Sequence, residues 1–162
     1  MTEKIDITVT TPARKYSKLQ SVLFYLIQWT WGLPVNIMGG IAYLICTKIL
    51  KRPHSKFGFS NIVYLPWNAG GLSMGLFIFV REEKEKREWL YNVRIHEYGH
   101  TWQCLLLGPL YYLIIAIPSV IWCNVFEGYR RKNNISYYKL YCEAWANAWG
   151  QKTTKLKMVN TG

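Results

Sequence analysis

The stretch IHEYGHTW, residues 95–102, sets His96 and His100 four residues apart with Glu97 between them. On a helix, residues four apart share a face, so both imidazoles can reach one metal ion. Glu97 in such an H-E-x-x-H box is a base rather than a ligand, placed to take a proton from a water that the metal activates. A catalytic zinc normally has three protein ligands and keeps a fourth position open. The box therefore asks for a third ligand from elsewhere in the chain.

Few residues qualify. His54 lies in KRPHSKF between Arg52 and Lys56, and these flanking cations oppose a dication. Cys104 follows His100 on the same face, but three ligands in a row along one straight helix are spread too far to converge on a tetrahedral ion. Glu127 stands in a Gly-Tyr-Arg-Arg turn, where the arginines are its natural partners. Glu143 sits in YCEAWANAWG, on an otherwise apolar helix. A lone carboxylate there needs a cation, because an unpaired buried charge is strongly unfavourable. A metal held by His96, His100 and Glu143 meets that need.

H-E-Y-G-H followed by E-A-W-A-N resembles the gluzincin branch of zinc metallopeptidases. There the box helix is completed by a glutamate on a later helix, often within E-x-x-x-D. The resemblance implies Zn²⁺ as cofactor, His96, His100 and Glu143 as its ligands, and Glu97 as general base. It also implies that Asn147, where the family often has aspartate, orients a ligand histidine from behind. Asparagine accepts that hydrogen bond without bringing a negative charge, so the tuning of the metal differs. HEYGHTWQCLLLGPLYYLIIAIPS is also similar to small, poorly characterised bacterial membrane proteins that carry such a box. No N-P-D-G element of intramembrane proteases accompanies it.

The chain around the box is 51% hydrophobic and 16% aromatic, with eight Trp and twelve Tyr, in 162 residues. That length suits a single domain, and the composition suits a membrane protein with an aromatic belt. Twenty Lys+Arg against nine Asp+Glu give a formal charge of +11. The cations flank apolar runs, which predicts anionic lipid headgroups as partners. With no basic recognition helix or known binding motif, nucleic acid is not expected. Cys46, Cys104, Cys123 and Cys142 share no C-x-x-C spacing and lie among apolar residues, so buried free thiols are expected. Residues 1–18 form a polar segment without the marks of a cleaved secretory signal.

Three uncharged runs must position the box. Residues 19–47 are long enough for a membrane span, kinked at Pro34. Residues 57–80 carry NIVYLPW and LSMGLFIFV about NAGG, which reads as an antiparallel hairpin. Residues 88–107 form the box helix. Residues 101–126 are broken by Gly108-Pro109 and by Pro118. A last helix runs from Ser136 to residue 148 or 149, stopped by Gly150, and residues 151–162 form a flexible tail. A straight crossing by 101–126 would put His100 and Glu143 on opposite sides of a ~30 Å layer. That run must fold back or tilt beside the box helix.

The expected fold is mainly α and membrane-embedded: apolar helices with a short antiparallel β-hairpin before a zincin-type active-site helix, in one domain. The expected protein is an integral zinc metallopeptidase of the bacterial cytoplasmic membrane, acting on a peptide or membrane-protein substrate. The hairpin could pair with an extended substrate, and Tyr98, Arg94 or one of Tyr129, Tyr137 and Tyr138 could steady an oxyanion. The alternative is a non-catalytic integral membrane protein whose zinc site is structural. Glu97 separates the two, since a structural site is closed and needs no base. A diiron oxidase fails because three histidines are too few.

Overall fold

A computed structural model describes residues 11–83 and 86–159; the first ten residues of the polar N-terminal segment and the last three of the tail lie outside them. The uncharged run 19–47 folds as α1 (Lys18–Thr30) and α2 (Leu33–Leu44), the second prolonged by a π-helical turn at Ile45–Ile49. The two are bent by 91°. A capping box opens α1, with Ser17 and Gln20 each bonding the other's amide. Pro34 stands in the first turn of α2, where its missing N–H is no loss.

Two polar residues inside the run lock this elbow. Asn36 Nδ2 donates to Gln28 Oε1 at 2.7 Å, and Asn36 Oδ1 accepts from the Leu76 amide at 2.8 Å. Gln28 Nε2 donates to the Thr101 carbonyl at 3.0 Å, and both carboxamides are fully buried. Leaving such a group unpaired costs ~1–3 kcal/mol, so the bend and its partners specify one another. Among the described residues no single helix is long and apolar enough to cross a membrane. Only this bent pair and the box helix with its successor reach that length together. The expectation of a membrane-embedded array of spanning helices is corrected accordingly.

The hairpin expectation is corrected too. Residues 54–81 form a four-stranded mixed sheet: β1 (His54–Phe57), β2 (Ser60–Leu65), β3 (Gly71–Met74) and β4 (Phe77–Arg81), in the order β1-β2-β4-β3. Two tight antiparallel hairpins turn at Gly58 and Gly75, whose φ values of 59° and 65° suit glycine. The hairpins then join through a parallel β2–β4 pairing, Asn61 opposite Phe77 to Leu65 opposite Arg81. LSMGLFIFV is thus two strands, and NAGG ends the crossover from β2, its last glycine, Gly71, opening β3. Phe77, Ile78, Phe79 and Val80 of central β4 are all buried, and β3 is a free edge.

The longest helix, α3 (Arg87–Leu107), packs on this sheet and ends at Gly108, whose φ is 53°. After turns at Gly108–Leu110 and Tyr112–Ala116 comes α4 (Ile117–Asn124), bent by 117° from α3. The chain thus turns back at Gly108-Pro109, the reversal that a shared ion requires. Next come α5 (Glu127–Lys132), a 3-10 turn at Tyr137–Lys139 capped by Ser136, and α6 (Tyr141–Thr154). Gly150 lies inside α6 rather than at its end, and Lys155 terminates the helix in the left-handed region. Nor are residues 151–159 a loose tail. Met158 is buried, Asn92 bonds both backbone groups of Val159, and Tyr91 donates to the Lys157 carbonyl.

Candidate metal centre

Two glycines decide how closely α3 and α6 cross. A Cβ on Gly99 would lie 2.0 Å from the Ala146 carbonyl oxygen, and one on Gly150 2.1 Å from that of Ile95. Neither contact is possible, so the helices can approach only because both positions are bare. The close crossing brings Glu143, in the first turn of α6, against His96 and His100. Gly99→Ala should wedge the helices apart, costing ~1–3 kcal/mol and displacing Glu143 from the histidines. Gly128→Ala, with nothing within 4 Å of its added Cβ, is the control. Thermal unfolding and zinc stoichiometry read both; a Gly99→Ala protein with wild-type metal content would refute this account of the crossing.

The three acceptor atoms stand at the corners of a small triangle. His96 Nε2 is 2.9 Å from Glu143 Oε2, His100 Nε2 is 3.5 Å from it, and the two Nε2 atoms are 3.2 Å apart. Ligand atoms ~2.0–2.2 Å from a tetrahedral zinc stand ~3.3 Å from one another, and the three edges scatter about that length. All three residues are buried, Glu143 completely.

The tautomers are set from behind. His96 Nδ1 lies 2.7 Å from Asn147 Oδ1, and His100 Nδ1 lies 2.7 Å from Gln103 Oε1. Gln103 Nε2 donates to the Cys142 carbonyl at 2.9 Å, which fixes its oxygen toward His100. Amide oxygens only accept, so each Nδ1 carries a proton and each Nε2 offers a lone pair. Lone pairs from two imidazoles and a carboxylate then converge on one buried point with no proton among them. The 2.9 Å contact is short but lacks hydrogen-bond geometry, and Glu143 Oε2 has no hydrogen-bond partner. The cluster can hold a metal ion, which relieves the repulsion at every corner.

Glu97 is buried beside the cluster and is not part of it. Its Oε1 packs on the bare backbone of Gly71, where a Cβ would come within 2.2 Å, and its Oε2 has no partner. Burial, opposed by His96 and aided by Glu143, pushes its carboxyl up to about 7. Glu97 and His100 border a cavity of about 50 Å³ with Tyr111 and Tyr137. Glu97 and His96 border another of about 280 Å³ with Trp89, Arg130 and Tyr138. The smaller suffices for a water, which occupies ~30 Å³. Gly71, Glu97 and Tyr137 line both, so the two adjoin in a cleft at the start of β3.

The remaining sequence candidates fall elsewhere. His54 is exposed on β1, Cys104 is buried beside Gln28, and Glu127 pairs with Arg131 at 2.6 Å. The four cysteines are free thiols, but Cys123 is exposed and Cys46 only half-buried, against the expectation of buried thiols. Tyr98 is a core residue over Gly58, Arg94 donates to the Tyr64 hydroxyl, and Tyr129 is exposed. Tyr137 and Tyr138 do line the cleft, the Tyr138 ring lying 5.2 Å from that of His96.

Sequence reasoning missed Gln103, Tyr111 and the role of Gly71. Gln103 had a legible signal, three residues beyond His100 on the same helix face. Residues that orient metal ligands carry ~10–100-fold in affinity. Asn147→Ala and Gln103→Ala should each weaken zinc binding by about that factor without abolishing it. Competition against a chromophoric chelator measures this, and wild-type affinity in both variants would refute the orienting role.

Compared with family models, with curated proteins and with solved structures, the chain matches none.

Proposed function

We propose that the chain is a zinc-dependent hydrolase, a metallopeptidase with Glu97 as its general base. One observation carries this reading: a buried carboxylate with an unpartnered oxygen opens on the same cleft as the ligand imidazoles without belonging to the ligand set. A purely structural site has no use for it. Two imidazole nitrogens and one carboxylate oxygen form a donor set suited to zinc, with room for a fourth ligand. When bound, zinc supplies Lewis acidity, lowering the pKa of a coordinated water and polarising a carbonyl.

The chain's own residues do the rest. Glu97 takes the proton from the attacking water, its carboxyl tuned by burial toward neutral pH. The Tyr137 hydroxyl, 2.7 Å from Ser119 Oγ and kept protonated by burial, stands in the cleft as a donor to a developing oxyanion. The substrate is an extended peptide laid along the free edge of β3. Tyr111 donates to the Ser73 carbonyl, so that carbonyl points away from β4. By the alternation of an antiparallel ladder, Gly71 presents its backbone groups the same way. Those groups and the Ser73 N–H are available for strand addition beside Glu97.

A zinc-loaded sample should cleave a peptide library, lose cleavage with a chelator and regain it with added zinc. A folded, zinc-loaded protein that cleaves nothing would overturn the peptidase reading and leave the metal as a link between α3 and α6.

The partner surface we propose is a bilayer, that of the bacterial cytoplasmic membrane. Leu26, Ile41, Leu44, Leu113, Val120 and Val125 are each more than half exposed along α1, α2 and residues 110–126. Cations stand at the ends of these segments: Lys48, Lys51 and Arg52 after α2, and Arg130, Arg131 and Lys132 after α4. Such bent, amphipathic pairs lie in the headgroup layer with their apolar sides inward. Flotation with anionic and neutral vesicles tests this; protein that floats with neither would exclude the bilayer.

A further inference from the structure

Tyr98 lies two residues beyond His96, roughly 200° around α3 at ~3.6 residues per turn, and it faces a separate cavity. This cavity, of about 350 Å³, is formed where the chain enters α1, between residues 11–16 and the β1–β2 turn. Arg14, Lys56, Tyr16 and Ser21 line it. An apolar groove of about 300 Å³ continues along α1, with Leu23, Phe24 and Ile27 on one side and Trp102 and Leu105 on the other. Arg14 and Tyr16 border both spaces, so a basic cavity and an apolar groove adjoin at these two side chains.

Among the described residues no acidic side chain offsets the charges at the basic end. Among the described residues neither Arg14 nor Lys56 has an acidic partner; the Arg14 guanidinium lies over the Tyr16 ring at 5.1 Å. The first turn of α1 holds no acidic residue. Each space is near the lower end of the ~300–1,000 Å³ typical of small-molecule sites. Two cations at one end of an apolar slot match one chemistry, a phosphate headgroup followed by an acyl chain.

The geometry points to a binding site for a single anionic phospholipid, its phosphate between Arg14 and Lys56 and a chain in the groove between α1 and α3. The site shares no residue with the metal cluster, so it stands or falls independently of the peptidase reading. It concerns a monomeric lipid and so also differs from attachment to a bilayer.

The test titrates the full-length, zinc-loaded protein with dihexanoyl phosphatidate below its micellar concentration, read by calorimetry. One lipid should bind per chain. Dihexanoyl phosphatidylcholine and inorganic phosphate should each bind at least about tenfold more weakly, tenfold being ~1.4 kcal/mol. Arg14→Ala/Lys56→Ala should weaken phosphatidate by at least the same factor. Lys86→Ala/Lys139→Ala, which removes two exposed cations elsewhere, should leave it unchanged. An unshifted thermal transition shows that each variant is folded, and Arg14→Lys should restore most of the affinity if Arg14→Ala proves unstable. Phosphate binding as tightly as phosphatidate would reduce the site to an anion pocket and overturn the proposal. Phosphatidylcholine binding equally well, or an unaffected Arg14→Ala/Lys56→Ala protein, would do the same.

Discussion

His96→Ala, His100→Ala and Glu143→Ala should each lose stoichiometric zinc, whereas His54→Ala should keep it. Among the described residues no other His, Cys, Asp or Glu joins the cluster, and Gln103 and Asn147 are committed to the Nδ1 atoms. Metal analysis of purified proteins reads the result. Metal retained one-to-one by Glu143→Ala would show that the third ligand is another residue. Binding to the native state alone also stabilises it, by ~4 kcal/mol when free zinc is a thousandfold above Kd. For a chain of this length each kcal/mol raises Tm by ~2–4 °C, so chelation should lower the wild-type transition by roughly 8–16 °C. The three ligand variants should show no such response to chelator.

The cluster of His96, His100 and Glu143 was legible because its chemistry is local or forced. Two histidines at helical spacing need only the helix, and Glu143 stood out as a carboxylate among apolar neighbours. The turn at Gly108-Pro109 was legible for a related reason: two breakers adjoin, and a shared ion forbids a straight run. The membrane span over 19–47 was misread because length and apolarity are the same for one crossing helix and two packed ones. The distinguishing signal lay in Gln28 and Asn36, uncharged but polar, eight residues apart across Gly32-Leu33-Pro34. The sheet was misread because pairing is non-local: nothing within NIVYLPW or LSMGLFIFV states that β2 and β4 lie parallel. Gly99 and Gly150 looked like a box residue and a helix stop. Their part in the α3–α6 crossing exists only in the packed pair.

Glu97→Gln should retain zinc and the fold yet lose about 10²–10⁴-fold in hydrolysis, the usual worth of a general base. That loss is ~2.7–5.4 kcal/mol of transition-state stabilisation at 1.36 kcal/mol per decade. The same change should stabilise the metal-free protein. A carboxyl raised by burial from 4.5 to about 7 makes the native state bind more protons than the unfolded chain between those values. Metal-free wild type should therefore lose stability as pH rises from about 4.5 to about 7 and then level off. Glu97→Gln has no such titration, so its advantage should be absent near the lower value and reach the order of 3 kcal/mol above the upper one, at ~1.36 kcal/mol per unit. A residue that costs stability where it sits, and whose removal abolishes turnover while sparing the metal, is held there for chemistry. Urea unfolding of metal-free proteins at pH 4.5 and 8, beside peptide cleavage by the zinc-loaded forms, reads both effects. Glu97→Gln cleaving at the wild-type rate would remove Glu97 from the mechanism, and destabilisation at pH 8 would make it a packing residue.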